Sequence, residues 1–316
     1  MHPPTDHHPL PALEGDRTFL TDGGLETTLV FHDGMDLPAF AAFPLLLDDE
    51  GRARLVRYYE QYLAIARAHD MGFVLESPTW RTNQDWAAEL GLEPSDLLDA
   101  LDAGSRLMAD IRDRWTDVPV IVSGCVGPRG DGYAPTTHMD PAEAEAYHAF
   151  EIRRMAEGGV DVVSALTLSY VDEAVGIARA ADAADVPVVL SFTVETDGRL
   201  PDGTSLGDAV EATDTATGGY PAYYMINCAH PTHVVPGLQA GAEWTTRIRG
   251  LRANASVLSH AELDESETLD DGDPVDLGRR YVQLQALLPD LRVLGGCCGT
   301  DHRHVDAIAA AWSTTA

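Results

Sequence analysis

Short apolar runs alternate along this chain with longer stretches whose apolar residues fall at helical spacing. Leu55, Tyr59, Tyr62 and Ala66 predict a helix over 52–69 that buries one face. Leu97, Leu101, Met108, Ile111 and Trp115 predict another. Asp140-Pro141-Ala142-Glu143 reads as an acidic N-cap, a proline at the first helical position and a capping-box glutamate, and Gly158-Gly159 as the stop. Further helices are expected over 174–184, 206–212 and 275–288. The β-like runs are 17–20, 72–77, 118–122, 160–166, 187–193, 222–226, 248–253 and 291–294. Strands alternating in this way with helices predict an α/β fold, a single (β/α)8 TIM barrel. A doubly wound open sheet is the alternative, but no Gly-x-Gly-x-x-Gly turn follows the first strand, which argues against dinucleotide binding.

With 316 residues, one barrel with modest insertions accounts for the chain from 17 to 316. Residues 1–16 read as a disordered tail, rich in His and Pro and lacking the apolar and basic regions of a signal peptide. His2, His7 and His8 are expected to be solvated there. The segment 31–47 carries more apolar residues than a solvated loop and is expected to be a lid or an oligomer contact. No apolar run reaches the roughly 20 residues needed to span a bilayer.

Charge narrows the range of partners. Fifty-one acidic residues face 21 basic ones, all Arg, for a formal charge of -30. Such a surface repels nucleic acid and anionic membranes and favours cationic or zwitterionic small molecules. Abundant carboxylates without Lys also suit a high-salt cytoplasm. With only 4 Cys, two of them adjacent, the chain lacks a secreted disulfide framework, so a reducing cytoplasmic location is expected.

The candidate chemistry sits at strand ends. Leu294-Gly295-Gly296-Cys297-Cys298-Gly299-Thr300 puts two thiols side by side, and neighbouring side chains of a regular strand point to opposite faces. Gly295, Gly296 and Gly299 are expected to let the backbone leave that conformation. Cys228 follows another strand. Three thiolates and a vacancy describe a catalytic Zn2+ site rather than a closed structural one. Cys125 is expected to be a small buried residue under a Gly-rich turn. The remaining rim candidates are Asp22, Gly23, Glu76, Thr167, Asn227, Asn254 and Glu262; for Asp22 a helix-cap role before 25–29 is the competing reading.

Thr21-Asp22-Gly23-Gly24, Asn227-Cys228 and Gly295-Gly296-Cys297-Cys298-Gly299-Thr300 together resemble the homocysteine S-methyltransferase family, over nearly the whole chain. The resemblance implies a zinc-dependent barrel with the metal on Cys228, Cys297 and Cys298, and Asp22 near the substrate amino acid. It implies two small-molecule partners, a thiol acceptor and a methyl donor such as S-methylmethionine, S-adenosylmethionine or a betaine. Many members carry a glutamate after the fourth strand where this chain has Leu166, so weak discrimination for the acceptor's α-ammonium is expected. A zinc hydrolase would use His and carboxylate ligands instead. A zinc-holding protein without activity is the non-enzymatic alternative.

Overall fold

The computed structural model describes residues 10, 15–133, 138–266 and 268–314. Eight parallel strands close into a barrel in chain order: β1 (Phe19–Leu20), β2 (Gly72–Glu76), β3 (Val120–Val126), β4 (Val162–Leu168), β5 (Val188–Phe192), β6 (Tyr223–Asn227), β7 (Ile248–Ala253) and β8 (Val293–Gly296). The ladder closes where Phe19 pairs with both Gly72 and Val293. Consecutive parallel strands need crossover connections, and helices supply them. In chain order the helices are α1 (Leu25–Thr27), α2 (Asp49–Ala68), α3 (Gln84–Glu89), α4 (Pro94–Arg114), α5 (Pro141–Glu157), α6 (Val171–Ala183), α7 (Leu206–Thr217), α8 (Pro231–Val234), α9 (His260–Asp264), α10 (Pro274–Leu284) and α11 (His302–Ser313). The open-sheet alternative is excluded by this closure.

Local sequence explains the starts of the long helices. Asp140 accepts from the backbone N–H groups of Ala142 and Glu143 while Glu143 accepts from the Asp140 N–H, the expected capping box at the head of α5. Glu93 and Asp96 make the same reciprocal arrangement on α4, ahead of Pro94. Asp48 and Ser205 cap α2 and α7 through Gly51 N and Asp208 N.

Two apolar clusters separate inside from outside. Leu20, Phe73, Leu75, Val122, Val163, Leu190, Tyr224, Ile226, Leu251 and Leu294 face the helix ring. Phe19, Val74, Ile121, Val162, Val189, Tyr223, Met225 and Val293, one residue out of phase with them, fill the lower barrel interior. Leu10 joins this inner cluster at 8% exposure, which departs from the expected disordered tail over 1–16; residues 1–9 and 11–14 lie outside the described residues.

Several boundaries differ from expectation, for one reason. β3 and β4 run on through Ser123-Gly124-Cys125-Val126 and Thr167-Leu168 because a neighbouring strand continues to pair there, β4 along Gly124–Val126 and β5 at Leu168, and ladder hydrogen bonding carries small polar residues that propensity alone would assign to a turn. The segment 31–47 folds onto its own chain: Ala41, Ala42, Phe43 and Leu46 are buried in the core, and Phe31 and Phe40 border a cavity. Among the described residues no helix is long and apolar enough to cross a membrane.

Candidate active site

Above its apolar floor the barrel interior turns polar. The inward alternation that places Val74, Ile121, Val162, Val189, Met225 and Val293 in the floor brings Glu76, Ser123, Ser164, Ser191, Asn227, Arg252 and Gly295 inward at the next level. Ser123 and Ser164 share a hydrogen bond of 2.8 Å. Arg252, only 6% exposed, takes the centre of this layer. Its Nη2 donates to Asp22 Oδ1 at 2.6 Å and to Gly23 O at 3.2 Å, and its Nε donates to Gly296 O at 3.0 Å. Glu76 forms an ion pair with the same guanidinium. Burial holds the Asp22 carboxyl above the usual carboxylate range, against the pull of Arg252 and of the Tyr58 hydroxyl that donates to it at 2.9 Å. A buried guanidinium shared by two carboxylates leaves residual negative charge under the cavity.

The thiols stand on the next level. Cys228, Cys297 and Cys298 have sulfurs all within 4.8 Å of one another. Cys228 and Cys297 are joined as a disulfide, whereas Cys298 is free. Thiolates 2.3 Å from one tetrahedral ion would lie about 3.8 Å apart, so once the disulfide is reduced the cluster has the donor set and span of a three-thiolate zinc site. Thr167 and Cys228 both adopt left-handed φ, 66° and 55°, a conformation costly for residues with a Cβ and concentrated at functional sites. Asn227 stabilises both. Its Oδ1 accepts from Thr167 N and Ser191 Oγ, while Nδ2 donates to Thr167 Oγ1 and, at 3.2 Å, to Cys228 Sγ. Asn254 Nδ2 donates to Cys228 O at 3.0 Å.

The glycines act differently from one another. Gly299 has φ 77° and makes the expected turn. Gly295 and Gly296 remain in β8, and what they supply is space: a Cβ there would collide with Thr21 and Thr300. Likewise a Cβ at Gly23 would come 2.8 Å from Thr300 O, and one at Gly24 2.7 Å from Cys297 O. The turn after β1 therefore lies directly on the cysteine turn. Gly24 N donates to Thr300 O, and Gly299 N donates to Thr27 Oγ1.

A cavity of about 680 Å³ opens above this layer, within the range that holds drug-sized ligands. Asp22, Gly23, Glu76, Thr167, Asn227, Asn254 and all three metal candidates line it. Glu262 does not: it is exposed, and its carboxylate accepts from Ser259 N and Oγ as the capping-box acid of α9. His260 faces the cavity instead, 4.2 Å from the Tyr133 ring. The cap of α1 is Gly24, so Asp22 has no capping role there. Cys125 is buried on β3 as a free thiol, with burial pushing its pKa up, and it stays outside the sulfur cluster.

Sequence reasoning missed Arg252, Glu26 and Tyr133. Arg252 carried a signal, a charged residue inside an apolar strand run. Glu26 was hidden in a short turn; burial pushes its carboxyl up to about 7. Tyr133, which lines the cavity together with Cys298, lies in a Gly-rich loop with no period to read. Burial likewise pushes the Cys298 thiol up to about 11.

A family model described as homocysteine S-methyltransferase matches residues 19–312. Among solved structures, the homocysteine methyltransferase MmuM from Escherichia coli in its oxidised form superposes with a TM-score of 0.77 at 21% identity, covering 96% of this chain and 99% of that one. Its metallated form gives 0.72 at 20% identity, covering 94% and 96%. The apo form gives 0.67 at 22% identity, covering 96% and 99%. No curated protein sequence matches this chain.

Proposed function

The chain belongs to the homocysteine S-methyltransferase family, and on that premise we propose that it moves a methyl group from a small cationic donor to the thiol of homocysteine or a closely related acceptor, with zinc held by Cys228, Cys297 and Cys298. The observation that carries this reading is the convergence of three sulfurs from two strand ends on one cavity wall. A zinc ion held there would supply positive charge that favours the thiolate form of an acceptor thiol near neutral pH.

The chain's own residues supply the rest. Asn227 fixes the Cys228 sulfur by a direct hydrogen bond and holds Thr167 beside it. Asn254 ties the backbone of Cys228 to the strand next door. Asp22, Gly23 and Glu76 form the floor on which the acceptor rests. Their shared Arg252 limits the negative charge that an incoming thiolate must meet. In the transfer, the acceptor sulfur's lone pair forms the new S–CH3 bond in line with the breaking bond to the donor. The breaking pair stays on the donor heteroatom, which loses its positive charge. Residual negative charge beneath the cavity favours a sulfonium or ammonium donor over an anionic one. The cavity volume leaves room for both molecules side by side.

The test pairs metal analysis with turnover. The reduced protein is expected to bind about one zinc per chain, and Cys298→Ser to lose it. A panel of thiols with methyl-labelled S-methylmethionine, S-adenosylmethionine and a betaine should label homocysteine or a close analogue. Full zinc in Cys298→Ser would remove that residue from the site, and a panel with no labelled thiol would defeat the transfer reading.

A further inference from the structure

The cavity wall holds two opposite charges that act on each other without forming a contact ion pair. Asp22 and Glu76 are paired with Arg252, Glu195 with His260, and Asp270 accepts from Ser256. Glu26 and Arg81 also line the cavity, yet neither enters an ion pair among the described residues. Glu26 is held in place because Thr27, the next residue, accepts from Gly299 N, which seats α1 against the cysteine turn.

Arg81 is fixed by different means. Its guanidinium lies 3.8 Å from the centre of the Trp86 ring and 5.0 Å from that of Trp80, and Nη1 donates to Ala39 O at 2.6 Å. Nε is buried without a hydrogen-bond partner among the described residues. A buried guanidinium donor left unpaired is costly, and a ligand carboxylate satisfies it with a charge-assisted bond. A guanidinium stacked on aromatic rings has little orientational entropy left to lose when it binds one.

We propose that Glu26 and Arg81 form the clamp that reads the α-amino acid head of the acceptor, Glu26 taking the ammonium and Arg81 the carboxylate. This rests on the acceptor reading above and extends it to a specificity pair. It also reverses the expectation drawn from Leu166. That residue lines the cavity and offers no charge, but Glu26 supplies a carboxylate from another strand end, so the ammonium is discriminated after all.

L-methionine is the probe, because it carries the same head on a capped sulfur and needs neither metal nor donor. Its binding to the full chain is measured by calorimetry beside 4-(methylthio)butanoate, which lacks the ammonium, and 3-(methylthio)propylamine, which lacks the carboxylate. Glu26→Gln is expected to weaken L-methionine by about ten- to hundredfold and to leave the butanoate unchanged. Arg81→Gln should weaken L-methionine to a similar degree and leave the amine unchanged. If that variant does not fold, Arg81→Lys, which keeps the charge but loses the planar fork, should still separate the two ligands. In turnover the KM increase should fall on homocysteine; an increase on the donor alone overturns the assignment. Unchanged L-methionine binding in Glu26→Gln overturns the clamp and leaves the acceptor reading standing. An unsubstituted protein that binds L-methionine no better than either analogue overturns both.

Discussion

Arg252 shows how one side chain sets the chemistry of a whole layer. Two carboxylates, Asp22 and Glu76, converge on it inside a barrel where neither has bulk water to solvate it. Removing one partner from a buried ionic group leaves the others uncompensated, which costs about 3 to 5 kcal/mol. Arg252→Met is therefore expected to lower the unfolding free energy of the reduced, metal-free protein by that amount, read from urea melts. Arg252→Met combined with Asp22→Asn and Glu76→Gln should recover most of it, since no charge is then left unpaired. A single variant as stable as the parent would mean that water reaches this layer. The thiols and Asp22 could be read from the sequence because their neighbours are diagnostic at short range. Arg252 could not be paired with them, because its partners lie 230 and 176 positions away in the chain.

Among the elements, α5 and α6 are joined by a buried ionic contact that no local pattern announces. His148 Nδ1 lies 2.6 Å from Glu151 and Nε2 3.1 Å from Glu173, which also accepts from Arg129 N in the loop after β3. Burial alone would lower the His148 pKa, yet the two carboxylates hold it at about 9. A group that binds its proton more tightly folded than unfolded stabilises the fold fully below its unfolded value, near 6.5 for His. That contribution is lost as pH rises through about 9. The stability gap between the parent and His148→Gln should thus be largest at pH 6, roughly 3 kcal/mol, and narrow toward pH 10. A gap of constant size across that range would show that packing rather than charge is responsible. Helix starts such as Asp140 were legible because capping is local. The ends of β3 and β4 were not, because their length is set by hydrogen bonds to neighbouring strands.

At the scale of the molecule, the formal charge of -30 acts on every approaching ligand. Such a field attracts cations over about a Debye length, roughly 10 Å at 0.1 M salt. Raising salt from about 0.05 M to about 0.5 M should lower kcat/KM for a sulfonium donor several-fold while changing that for a neutral thiol little. Equal salt effects on both would mean that the field acts on stability alone. The fold directs approaching ligands to a cavity above the layer of Arg252, which every substrate candidate except Glu262 lines.

The sequence by itself determined the barrel, the three cysteines and the family resemblance, because strand–helix alternation and Gly-flanked Cys pairs are written over short distances. Only the tertiary structure decided which charges meet. It withdrew Glu262 into a helix cap, paired Asp22 and Glu76 with one Arg252, and brought Glu26 and Arg81 to one cavity. The reason is physical. A side chain's charge matters through its partners and its distance from water, and barrel closure sets both by joining residues far apart along the chain.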